Sequence, residues 1–112
     1  RCAITRKVIR YNDLCNLEAA HIKPQAHNGQ FLPCNGIAMS RDMHFAFDKG
    51  FFTIDCDFNV EVAEQLVGSE FYEEFNGKHI FVPQVEYFQP NRVFLNYHRE
   101  HIFQTFAQIK RL

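Results

Sequence analysis

Leu17-Glu18-Ala19-Ala20-His21-Ile22, then Asn35-Gly36-Ile37-Ala38-Met39-Ser40, then Arg41-Asp42-Met43-His44-Phe45-Ala46-Phe47-Asp48-Lys49-Gly50 is the part of the chain that decides the fold. Residues 17–22 run into Lys23-Pro24. Proline stops a helix and favours extended chain before it, so this segment reads as a strand. Residues 23–34 hold two prolines and Asn28-Gly29 and read as a loop. Residues 35–39 are short and mostly apolar, which fits a second strand paired back on the first. Ser40 is a good N-cap for a helix over residues 41–49, and Gly50 is a natural C′ residue. The unit is strand, loop, strand, short helix.

Within it, His21 is followed by Asn35 after 14 positions, by His44 after a further 9, and by Asp48 after 4 more. Separately, each has an ordinary explanation. A histidine beside Ile22 is commonly a half-buried residue with its hydrogen bonds satisfied, Asn-Gly is a turn, and a His/Asp pair at i,i+4 is a solvated helix face. Together they make a coherent site. His44 and Asp48 stack on one helix face and can hold one cation. His21, at the end of the first strand, faces them if the hairpin packs on the helix. Its neutral imidazole can take a proton from water at working pH. Asn35 can bond backbone groups of the loop and fix the orientation of His21. The combination points to a phosphodiester-cleaving metal site.

These residues resemble the HNH endonuclease family, whose members share a ββα-metal finger. Glu18-Ala19-Ala20-His21-Ile22, Asn35-Gly36-Ile37 and Met43-His44-Phe45-Ala46-Phe47-Asp48-Lys49-Gly50 are similar to the branch found in bacterial restriction-endonuclease-like proteins. Gly68-Ser69-Glu70-Phe71-Tyr72 and Leu95-Asn96-Tyr97-His98-Arg99-Glu100-His101-Ile102-Phe103 resemble the tail that follows the finger there, so most of residues 2–103 is covered. The resemblance implies an α+β fold: a ββα-metal finger over residues 17–50, a small β-hairpin and helix extension, and a long C-terminal helix. The whole chain, residues 1–112, is then one nuclease domain with 51–112 as its family-specific extension.

The resemblance also implies roles. His21 matches the general base, Asn35 the residue that positions the base loop, and His44 the metal ligand on the helix. Asp48 matches the position where related fingers place a second ligand. One position departs: many such fingers carry an acidic residue or histidine just before the base, and here it is Ala20. Glu18 shares the strand face of Ala20 and is the rival second ligand. The favoured arrangement is His44 with Asp48, because i,i+4 spacing presets both on one face. The implied cofactor is one divalent ion, Mg²⁺ or Mn²⁺ by ligand type, with Ni²⁺ or Zn²⁺ binding as tightly or more so. The reaction is hydrolysis of DNA to 5′-phosphate and 3′-hydroxyl ends. The cation would neutralise charge on the phosphate and the leaving oxygen.

Composition is compatible with this. The 112 residues are 46% hydrophobic, and 13 Phe with no Trp point to a core built largely from phenyl rings. No apolar run reaches membrane-span length and no signal peptide is visible, which fits a bacterial cytoplasmic protein. Net charge is −1, against DNA binding at first sight. The halves differ: residues 1–50 hold seven basic and four acidic residues, net +3, and residues 51–112 hold five and nine, net −4. Lys23 and Arg41 are the DNA-contact candidates in the positive half, His27 a weaker one, and weak DNA affinity is expected from this domain alone. The chain starts at Arg1 and reads as the C-terminal fragment of a longer protein, whose N-terminal domain would recognise sequence. A homodimer would cut both strands.

Cys2, Cys15, Cys34 and Cys56 form no C-x-x-C pair, so reduced thiols are expected over a four-thiolate zinc. Beyond the finger, residues 51–54 and 58–62 read as a hairpin around Asp55-Cys56-Asp57, Ser69 as the cap of a helix through Phe75, and residues 79–82 as another strand. Pro90 can open a longer helix at its first turn, with Leu95, His98, Ile102, Phe106 and Ile109 on one face. His98 reads as a packing residue, Arg99 as partner to a phosphate or a structural carboxylate, and His27 and His79 as surface residues. Two other classes fit the same sequence: a DNA-binding or structural module that kept the finger but lost activity, motivated by Ala20, and a zinc-stabilised interaction domain.

Overall fold

In the computed structural model, which describes residues 1–109, three separate two-stranded antiparallel hairpins are joined by short helices. β1 (Arg10–Tyr11) pairs with β2 (Leu14–Cys15), and β3 (Leu17–His21) with β4 (Gly36–Ser40). α1 (Arg41–Asp48) follows β4 directly. β5 (Phe52–Ile54) then pairs with β6 (Val60–Val62), and α2 (Glu70–Phe75) and α3 (Arg92–His98) complete the main elements. A π turn (Arg99–Phe103) and α4 (Gln104–Ala107) carry α3 onward as one long C-terminal helix. The fold is α+β: a ββα finger, a hairpin and helix extension, and that terminal helix. Among the described residues, no helix is long and apolar enough to cross a membrane.

The finger forms because its two periodicities agree. β3 and β4 pair from Leu17↔Ser40 to His21↔Gly36. Ala20, Ile37 and Met39 point inward and are buried, whereas Ala19 and Ala38 point to solvent. On α1 the buried residues are Met43, Ala46 and Phe47, an i, i+3, i+4 face. Burying Phe47 completely contributes about 1.5–3 kcal/mol. α1 stops where Gly50 takes φ +80°, and a Cβ there would sit 2.6 Å from the Ile102 carbonyl oxygen. The helix end is thus pressed against the C-terminal helix.

Several details differ from the sequence reading. Ser40 precedes α1, but its side chain does not cap it; the Asp42 carboxylate accepts from the Ser40 hydroxyl and the Met43 amide instead. Asn35 closes a 3₁₀ turn (Pro33–Asn35) rather than opening the strand. Residues 79–82 form no strand, because the segment divides its hydrogen bonds: Ile80 N–H donates to Phe58 O and Phe81 N–H to Ala3 O. Only an isolated bridge, Asn59↔His79, is left. Pro90 lies ahead of the helix; Asn91 caps α3 by accepting from Val93 N–H at 2.8 Å. The core is mixed: Phe47, Phe52, Phe75 and Phe103 are buried among Ile, Met, Val and Leu, while Phe31, Phe45, Phe81 and Phe88 are exposed. All four cysteines are free thiols.

The π turn changes the phase of the C-terminal helix. The inward positions are Leu95, His98 and Phe103, whereas Ile102 is half-buried and Ile109 exposed. An i→i+5 turn carries one extra residue, so the buried series steps by five from His98 instead of four. His98, only 1% exposed, lies flat on Phe47 with ring centroids 3.7 Å apart. Its Nε2–H donates to Phe47 O at 2.9 Å, and its Nδ1 accepts from the Thr53 hydroxyl at 2.8 Å. Arg99 donates to Glu61 at 2.7 Å, the structural carboxylate.

Burial lowers the His98 pKa from 6.5 to about 4, so the folded protein keeps the ring neutral. The unfolded chain protonates it near pH 6.5. Stability is therefore full above that pH, falls as pH drops, and levels off near 4, a loss of about 3 kcal/mol. Thermal melts in EDTA between pH 7.5 and 4 should drop by roughly 10–20 °C. His98→Gln should melt lower at pH 7.5 and show a flatter profile; an equally steep one would remove His98 as the cause.

Candidate metal and base site

β3 and α1 bring Glu18, His44 and Asp48 together at the surface of the finger. His44 is at the centre, half-buried between two acids. Its Nδ1–H donates to Glu18 Oε1 at 2.9 Å, and its Nε2 lies 3.1 Å from Asp48 Oδ2. The second contact follows from i,i+4 spacing, since α1 is regular through both residues. The first follows from the pairing of β3 with β4, which sets Glu18 beside Met39 close to the start of α1.

The electrostatics reflect this arrangement. The hydrogen bond from His44 holds the Glu18 carboxyl below the usual carboxylate range, and Arg41 adds to the effect. Asp48 moves the other way. Desolvation by the neighbouring atoms raises its pKa although its side chain is 52% exposed, outweighing the attraction of His44 and then of His21. A carboxylate and an imidazole lone pair face each other across 3.1 Å, which is favourable only with positive charge between them.

Two ligands held by one small cation at about 2.1 Å lie roughly 3 Å apart when adjacent, so the Nε2 to Oδ2 separation fits a shared ion. Among the described residues, no group of three or more His, Cys, Asp or Glu side chains could enclose a metal. His44 Nε2 and Asp48 Oδ2 are two candidate donors, a number compatible with an ion that keeps waters.

Asn35 is 1% exposed and fully bonded. Its Oδ1 accepts from Lys23 N–H at 2.8 Å, and its Nδ2 donates to Lys23 O at 3.2 Å and Gln30 O at 2.9 Å. Its own carbonyl accepts from Ile22 N–H at 3.0 Å. Asn35 thus staples the chain immediately after His21.

The family model described as HNH endonuclease matches residues 2–55. Residues 2–55, just under half of the chain, are thus similar to the HNH endonuclease family. Among solved structures, the HNH finger and its extension are similar to a chain of the modification-dependent TagI restriction endonuclease. The match has a TM-score of 0.70 at 24% identity and covers 91% of this chain but 33% of that one. At that identity the likeness is one of fold, and the present chain spans about a third of the neighbour's length. No curated protein matches.

The remaining predicted residues fall at the rim of the HNH finger. Arg41 is exposed and donates to Glu18 at 3.1 Å, so part of its charge is already matched. Lys23 reaches the C-terminal helix, with Nζ 4.6 Å from the Tyr97 ring centroid. Ala20, at the position where other fingers carry a ligand, is fully buried. Two contacts escaped the sequence reading. The exposed Phe31 meets His21 edge-on at 4.8 Å, and His27 Nδ1 lies 2.7 Å from the Tyr97 hydroxyl. An aromatic in a loop gives no sequence signal for the first, and the second joins residues 70 apart.

Replacing Asn35 by Ala would leave two backbone carbonyls and one amide around the loop without partners, costing about 2–4 kcal/mol. The melting temperature should fall, and Lys23 N–H should exchange with solvent faster. Unchanged Lys23 exchange would show that Asn35 is not what holds the loop.

Proposed function

We propose that this domain is a metal-dependent endonuclease that hydrolyses DNA phosphodiester bonds, leaving 5′-phosphate and 3′-hydroxyl ends. The observation that carries the reading is His44 held between Glu18 and Asp48. His44 Nε2 and Asp48 Oδ2 would hold one divalent ion, Mg²⁺ or Mn²⁺ in the first place. Glu18 serves as the orienting carboxylate: by accepting from Nδ1–H, it fixes the ring and leaves Nε2 free for metal. When bound, the ion supplies positive charge against the phosphate and the leaving oxygen. His21 takes the proton of the attacking water through its imidazole. Asn35 keeps the chain after His21 in place through the loop bonds. Lys23 and Arg41 flank the site and contact the DNA backbone.

The likeness to a restriction endonuclease supports a role as the cleavage module of a bacterial restriction or defence protein, acting in the cytoplasm. The neighbour's greater length supports a separate recognition domain elsewhere on the full chain. Two copies acting together would cut both strands. A second reading, an inactive HNH-like module, is favoured by one observation: Ala20 supplies no ligand beside the base.

Plasmid cleavage in Mg²⁺ or Mn²⁺ separates the two readings. The purified domain should nick DNA, and His21→Ala should lose that activity while retaining its melting temperature and metal affinity. Calorimetry with Mn²⁺ should show His44→Ala and Asp48→Ala each losing most of the binding, with the double variant little worse than the worse single one. Glu18→Gln should weaken binding about 10–100-fold, as expected for an orienting partner. Full affinity in Asp48→Ala together with lost binding in Glu18→Gln would move the second ligand to the strand.

A further inference from the structure

Beside the cleavage site, four side chains from two distant parts of the sequence meet around one ring. Tyr97, on α3, is the centre. Lys23 Nζ lies 4.6 Å from its centroid, and the His101 ring lies against it at 4.3 Å and 34°. His27 meets it edge-on at 5.7 Å, with Nδ1 2.7 Å from the hydroxyl. His27 and His101 are exposed, and Lys23 and Tyr97 are half-buried, so the group faces solvent.

We propose that Lys23, His27, Tyr97 and His101 form a backbone-gripping platform that holds the DNA strand next to the phosphate being cut. The inference rests on the nuclease reading and adds a contact supplied by the C-terminal helix, outside the finger.

Charge is the first argument. Among the described residues, no ion pair involves Lys23, His27 or His101. The acid next to them in sequence, Glu100, is engaged by Asn96 Nδ2 at 3.1 Å. An ammonium and two imidazoles therefore gather with no carboxylate bonded to them, in a protein of net charge −1. Simple packing of the loop on the helix would need only the ring and one partner. Donor geometry is the second argument. With His27 Nδ1 engaged by the Tyr97 hydroxyl, Nε2 is directed away from that bond. The Lys23 ammonium adds three donors on a flexible stem. A phosphodiester oxygen is the acceptor such a set fits.

Position is the third argument. Lys23 follows His21 by two residues, a reach of at most about 7 Å. With the lysine side chain and the 4.6 Å to the Tyr97 ring added, the platform lies within a few nucleotides of the proposed cut, since nucleotides in a duplex strand rise about 3.4 Å each. Tyr97 and His101 offer flat faces to a sugar or an unstacked base at that distance.

The test measures binding without cleavage. In a His21→Ala background with EDTA, fluorescence anisotropy of a labelled duplex gives affinity across a salt series. Lys23→Gln should weaken binding about tenfold whatever the sequence, and reduce the salt slope by about one. His101→Gln and Tyr97→Ala should each cost about threefold, with Lys78→Gln as the same-charge control that changes nothing. Lower melting temperatures with unchanged affinity in the Lys23 and His101 variants would overturn the platform and leave only a structural tie. If the wild-type chain still cut plasmid in that case, the nuclease reading would stand; a parent that bound no DNA would overturn both.

Discussion

The imidazole of His98 is where the finger and its extension become one structure. It stacks on Phe47, donates to the Phe47 carbonyl and accepts from Thr53, and so ties the C-terminal helix to α1 and β5 at once. Phe47 immediately precedes Asp48 and lies one helical turn from His44. Whatever sets the Phe47 backbone therefore sets the angle at which those two side chains leave α1. A ββα unit of three short elements buries too little apolar surface to be rigid alone. Here the rigidity comes from behind, through a buried neutral ring that has both nitrogens satisfied.

On the opposite face of α1 the same economy of contacts recurs with charge in place of packing. Glu18 reaches His44 from the strand while Asp48 reaches it from the helix, so one imidazole joins the two elements before any ion is present. The acids differ in kind. The hydrogen bond from His44 holds Glu18 as a carboxylate, whereas the Asp48 pKa is raised although its side chain is the more exposed.

The finger was legible because its determinants are local. Lys23-Pro24 ends β3, Gly50 ends α1, and His44 and Asp48 meet through helical spacing alone. The likeness to the HNH family was carried by those same residues. The contact from Glu18 to His44 depended on strand register, and the sequence left Glu18 and Asp48 as rivals where the geometry gives each a separate partner atom. The N-terminal hairpin passed unnoticed although Asn12, at its turn, takes φ +50°; Ile9, Tyr11 and Leu14 are exposed and show no inward face. Residues 79–82 looked like a strand because composition cannot reveal that their hydrogen bonds are divided between two neighbours. The C-terminal helix was recognised, but its inward face was displaced beyond His98 by a backbone irregularity with no residue signature.

That irregularity has an evolutionary reading. A π turn is a helix holding one residue more than its hydrogen-bond ladder needs. A homologue lacking one position between residues 99 and 102 would run as unbroken α-helix and still present the equivalents of Leu95, His98 and Phe103 to the core. A length difference of one residue at this point is thus neutral for packing, and an alignment gap there would mark a structural synonym rather than a different fold.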